Sequence, residues 1–122
     1  MTGVQPPLTA AELAELTGLV AAEQDRLAAQ LAALVRTFDE LVDAADLEPP
    51  DDEHDPDGTT AYERAQVSSL IIEARGALAE LAAAAQRIDA GTYGRCVDCG
   101  DPIGWARLAA VPGAQRCIRC AT

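Results

Sequence analysis

Four cysteines stand in two close pairs, Cys96-Val-Asp-Cys99 and Cys117-Ile-Arg-Cys120, separated by seventeen residues. A CxxC turn brings both thiolates to face one point, and two such turns supply the four soft ligands of tetrahedral zinc in a closed structural site. A redox dithiol is the rival reading of a single pair. Two pairs at this spacing favour zinc, and an iron–sulfur cluster is the other occupant of a four-thiolate set. Gly94 and Gly100 beside the first pair suit tight turns. About thirty residues hold too little core to fold alone, so metal binding is expected to supply most of this segment's stability. The single histidine, His54, is expected in a loop and not at the metal.

The second group of chemically capable residues is acidic. Between Asp43 and Asp57 lie eight acids and no basic residue: Asp43, Asp46, Glu48, Asp51, Asp52, Glu53, Asp55 and Asp57. Such a cluster is attracted to a basic partner surface, and its carboxylates also offer hard oxygen ligands to a divalent ion. A solvated acidic loop is the alternative on composition alone. With one His, no Ser–His or Cys–His arrangement and no Gly-rich phosphate loop, enzyme activity is not expected.

These residues need elements to position them. Only 3% of the 122 residues are aromatic while 49% are apolar, a mixture that suits long Ala- and Leu-rich helices. Residues 1–8 read as a disordered lead, and Thr9 with Glu12 forms a capping box that starts a helix. From there Leu13, Val20, Leu27, Leu34 and Leu41 recur every seven residues, interleaved with Thr17, Gln24, Leu31, Phe38 and Ala45. This heptad seam runs to about Asp46, roughly 38 residues and about 57 Å of helix. Residues 47–59 carry three Pro, one Gly and six acids and read as a loop. A second helix is expected from Thr59 or Thr60, with the seam Val67, Ile71, Ala74, Leu78, Leu81, Ala85 and Ile88, until Gly91 stops it.

The expected fold is mainly α: an antiparallel coiled-coil hairpin over 9–91 with an acidic tip loop at 47–59, then a four-cysteine zinc finger over 92–122. The loop length favours pairing within one chain, hence a monomer, over a dimer in which each helix pairs between chains. Gly76, inside the second helix, reads as tolerated rather than as a hinge.

The net charge of −11, with nine Arg and no Lys, argues against direct DNA binding. Met1–Pro7 lacks the features of a signal peptide, and no apolar run approaches membrane-spanning length, so a cytoplasmic protein is expected. The bias toward Ala, Gly, Asp and Arg fits a GC-rich genome, such as an actinobacterial one. Within residues 95–120, Arg95, Arg107, Arg116 and Arg119 outnumber Asp98 and Asp101. A zinc tetrathiolate carries a charge of about −2, which that excess offsets.

The run Gly91-x-Tyr93-Gly94-x-Cys96-x-x-Cys99-Gly100-x-x-Ile103, then Arg107-Leu108-x-Ala110-x-Pro112, then Cys117-x-x-Cys120, resembles the zinc finger of the DksA/TraR family. The preceding hairpin with its acidic tip is similar to the rest of that family. The resemblance implies a bacterial transcription regulator that binds RNA polymerase and inserts the acidic tip into the secondary channel toward the active site. It implies zinc on Cys96, Cys99, Cys117 and Cys120, tip contacts from Asp51, Asp52, Glu53, Asp55 and Asp57, and finger contacts from Arg107 and Arg119. The family tip reads Asp-Pro-x-Asp-x-Ala. Here Asp55 and Pro56 keep the first two positions, while Gly58 and Thr60 stand where the second Asp and the Ala belong. Asp57 reaches the second acid's place only through a local shift. The chain also ends two residues after Cys120 and has no Lys, so binding of the nucleotide alarmone ppGpp is not expected. The alternative function is a coiled-coil and zinc-finger adaptor in another stress-response or ribosome-associated assembly.

Overall fold

The computed structural model describes residues 5–47 and 56–121, with the side chains of Leu47 and of residues 56–59 outside that description. Among the described residues the elements are α1 (Ala10–Leu47), α2 (Pro56–Ala90) and α3 (Trp105–Ala110). The fold is a mainly α-helical hairpin of α1 packed on α2, followed by a C-terminal cluster of four cysteines.

Local chemistry sets the helix ends. At the start of α1 the Thr9 backbone N–H donates to Glu12 Oε1 at 2.9 Å, and the Glu12 N–H donates to Thr9 Oγ1 at 3.1 Å. Two donors that the helix cannot satisfy internally are thus paired reciprocally. At the end of α2, Gly91 adopts φ +78. Its N–H donates to Ile88 O at 3.2 Å, and the Thr92 N–H donates to Arg87 O at 2.9 Å. This is the two-bond pattern of a Schellman stop, which needs a left-handed residue at the glycine position.

The start of α2 differs from the sequence expectation. The helix begins at Pro56, not at Thr59 or Thr60. Proline at the first helical position loses no hydrogen bond, because that N–H has no partner in a helix anyway. The expected loop of 47–59 therefore shortens at both ends, since Leu47 is also helical.

The chain divides into two compact units. One comprises Met1–Arg26 with Ala77–Thr122, and its buried apolar residues include Leu16, Val20, Leu81 and Ala84 from the helices. The other comprises Leu27–Gly76, with Leu27, Ile71 and Ala74 buried. The seam is partly shifted from the heptad reading. Leu16 is fully buried, whereas Thr17 is exposed and donates its hydroxyl to Leu13 O at 2.7 Å. A straight α-helix drifts against a strict seven-residue repeat, so the apolar neighbour rotates inward where the repeat offers a polar residue. On α2, Ala84 is likewise fully buried beside the expected Ala85. Nothing lies within 4 Å of a Cβ placed on Gly76. Among the described residues, no helix is long and apolar enough to cross a membrane.

Of the lead expected to be disordered over 1–8, residues 5–8 are among the described residues and lie outside any helix or strand. Leu8 is half-buried, and a Cβ placed on Gly94 would lie 2.8 Å from Leu8 Cδ1.

Candidate metal centre

The finger is built as two turns facing each other. In the first, Cys96 N–H donates to Asp101 O at 2.8 Å, Gly100 N–H to Cys96 O at 2.9 Å, and Ile103 N–H to Gly94 O at 2.8 Å. Arg95 and Pro102 form an isolated antiparallel bridge across the same turn. In the second, the N–H groups of Cys120 and Ala121 both donate to Cys117 O at 3.0 Å. Each turn aims its pair of sulfurs inward, with Cys96 and Cys117 buried and Cys99 and Cys120 nearer the surface.

The four Sγ atoms lie within 4.8 Å of one another, and Cys99 and Cys117 are 3.8 Å apart. A tetrahedron with metal–sulfur bonds of about 2.3 Å has sulfur–sulfur edges of about 3.8 Å. The donor set and spacing therefore fit a tetrahedral thiolate-bound metal ion. All four sequence-predicted ligands come together.

The electrostatics of the four thiols agree. Cys96 is depressed to about 6, chiefly by hydrogen bonding from the Cys117 backbone. Cys120 is pushed up to about 12, first by its hydrogen bond with the Cys117 side chain and then by those with Cys96 and Cys99. Four thiols at one point cannot all ionise unaided, because each thiolate opposes the next. A divalent cation removes that conflict and holds all four deprotonated.

Cross-links join the two turns. Tyr93, 7% exposed, donates its hydroxyl to Pro112 O at 2.8 Å, and desolvation holds the phenol above its ordinary range. Val97 N–H donates to Gln115 O at 2.9 Å. Arg116 pairs with Asp98 at 2.7 Å, and Arg119 with Asp101 at 2.5 Å. Each acid beside the first cysteine pair thus meets an arginine beside the second. Both ion pairs span the same sequence separation of 18 as Cys99 and Cys117. Sequence reasoning noted these charges without pairing them; that shared offset was the signal. Beneath them, Ile103, Leu108 and Ala114 are buried, and α3 supplies Leu108 at 0% exposure.

Arg107 and Arg119, expected at a partner surface, also serve within the finger. Arg107 Nε donates to Arg116 O at 2.9 Å, while Arg119 is held by Asp101. Of the acidic tip, Asp51, Asp52, Glu53 and Asp55 lie outside the described residues, as does His54. Asp57 falls in the first turn of α2 with its side chain undescribed.

Comparison with known proteins places this geometry. An uncharacterized protein of Aquifex aeolicus (strain VF5) is 43% identical over 44 residues, a span of 36% of this chain and only 30% of that relative's length. Transcription factor DksA2 from Pseudomonas aeruginosa has a similar fold, with a TM-score of 0.76 and 24% identity, covering 90% of this chain and 80% of that one. Residues 91–122, which include all four clustered cysteines, match the model of the prokaryotic dksA/traR C4-type zinc finger.

Proposed function

We propose that the chain is a DksA/TraR-type transcription regulator that binds bacterial RNA polymerase and presents its acidic interhelical segment to the secondary channel. The observation that supports it best is the match of 91–122 to the dksA/traR finger on a chain whose fold resembles that of a transcription factor. Cys96, Cys99, Cys117 and Cys120 hold zinc, which crosslinks the two turns and carries out no reaction itself. Asp55, with Asp51, Asp52, Glu53 and Asp57, is the charge that a basic channel attracts. Arg107 and Arg119 lie on the finger and contact the polymerase rim.

The test is a pull-down of zinc-loaded protein with core RNA polymerase, followed by transcription in vitro. The wild type is compared with a variant in which Asp51, Asp52, Glu53, Asp55 and Asp57 are all Ala. The expected result is binding by both proteins and a transcriptional effect from the wild type alone. If the wild type fails to bind at near-physiological salt, the likeness is architectural and the adaptor reading replaces this one.

A further inference from the structure

The segment ahead of α1 is in contact with the finger at two glycines. Gly94 has φ +91 and Gly104 φ +102, conformations that side-chain-bearing residues rarely adopt. A Cβ on Gly94 would lie 2.8 Å from Leu8 Cδ1 and 3.4 Å from Leu8 Cγ. On Gly104 it would lie 2.8 Å from Gln5 Cγ, 3.0 Å from Gln5 Oε1 and 3.1 Å from Gln5 Cβ. The last contact involves the root of the side chain, so residue 5 itself lies against the glycine and cannot simply swing its tip away. Gly94 and Gly104 are the two ends of the first cysteine turn, joined through Ile103 N–H to Gly94 O at 2.8 Å. Immediately after Leu8 comes Thr9, which with Glu12 forms the reciprocal cap of α1.

We infer that residues 5–8 form a strap latched to the closing end of the first cysteine turn, so that metal occupancy controls the order of the α1 start. The chain of contacts is continuous. Metal holds Cys96 and Cys99, the turn they close fixes Gly94 and Gly104, and those glycines accept Leu8 and Gln5. Releasing the metal loosens the turn, frees the strap and unseats the cap at Thr9. The coupling is reciprocal by thermodynamic necessity: if metal tightens the strap, the strap tightens the metal. The device rests on the four-thiolate centre holding zinc.

Hydrogen exchange of the full chain, read by mass spectrometry with and without a zinc chelator, tests this. Zinc stoichiometry is measured separately by chromogenic release. Removing zinc is expected to speed exchange over residues 8–13 at least about tenfold, together with residues 94–104, and to leave residues 62–75 unchanged. The double variant Gln5→Ala/Leu8→Ala keeps its helix content and is expected to bind zinc more weakly, by the factor with which zinc protects residues 8–13. One bound zinc with unchanged exchange over 8–13 overturns the coupling and leaves the metal centre standing. Equal zinc affinity in the double variant also overturns it. A purified and zinc-supplemented chain that holds no zinc overturns the metal centre and the strap's control together.

Discussion

Replacing Leu108 by Ala separates two accounts of how the finger holds together. Leu108 is 0% exposed in the six-residue helix α3, and its Cδ1 lies 3.8 Å from where a Cβ on Gly94 would stand. Truncating a fully buried Leu costs about 3 kcal/mol, from lost transfer energy and the cavity left behind. Where that cost is read depends on the metal-free finger. If the finger folds only with metal, binding and folding are one equilibrium, and the whole cost falls on zinc affinity. At about 1.4 kcal/mol per decade, the zinc dissociation constant then rises by about a hundredfold. If the metal-free finger is already folded, both states lose Leu108 equally and zinc affinity stays put. Ile71→Ala is the control: Ile71 is 8% exposed in the Leu27–Gly76 unit, so its loss lowers stability without touching zinc. Competition against a chromophoric chelator measures affinity, and thermal melts by circular dichroism measure stability. Leu108→Ala that melts lower yet binds zinc as tightly as the wild type refutes the metal-driven account.

Zinc affinity is expected to fall as pH is lowered, because the ligands must be thiolates. Cys96, depressed to about 6, keeps its ionised ligand near neutrality, and its contribution is lost as pH falls through that value. The fall in affinity should therefore steepen below about pH 6; a flat affinity profile between about pH 8 and pH 5 contradicts it. The Asp98–Arg116 and Asp101–Arg119 pairs are about half exposed, so a double-mutant cycle on either should give less than about 1 kcal/mol, shrinking with salt. A salt-independent coupling of several kcal/mol would show that they are screened from water. Gly91→Ala should cost about 1 kcal/mol through φ +78 alone, since nothing lies within 4 Å of the added Cβ. Urea unfolding checks this, and no loss of stability would mean that the helix stop relaxes freely.

Much of the molecule was legible because its determinants are local. Thr9 and Glu12 are three residues apart, and Gly91 needs only its own backbone freedom, so both ends of the expected helices could be read without knowing the fold. The cysteine spacing was equally direct, since a CxxC turn is a local structure and tetrahedral coordination restricts how two of them meet. Pro56 was misread because three prolines and six acids in one stretch suggested loop throughout, although proline at a helix's first position is favourable.

Other features depend on residues brought together from afar. Heptad counting placed Thr17 in the seam, but which side chain turns inward depends on how α1 meets what covers it, and that is Leu16. Nothing local tells Asp98 that its partner is Arg116, or Tyr93 that its hydroxyl meets Pro112 O. Nor does a lead of Pro, Gln and Leu announce that it will lie on Gly94 and Gly104, some ninety residues on. The amino-acid sequence alone determined the two long helices, the cap of α1, the glycine stop of α2 and the candidate four-cysteine ligand set, because each is a short-range choice of backbone or donor type. Tertiary structure alone decided which face of α1 is buried, how the two cysteine turns are clamped and where the lead rests, because those are contacts between segments distant in the chain.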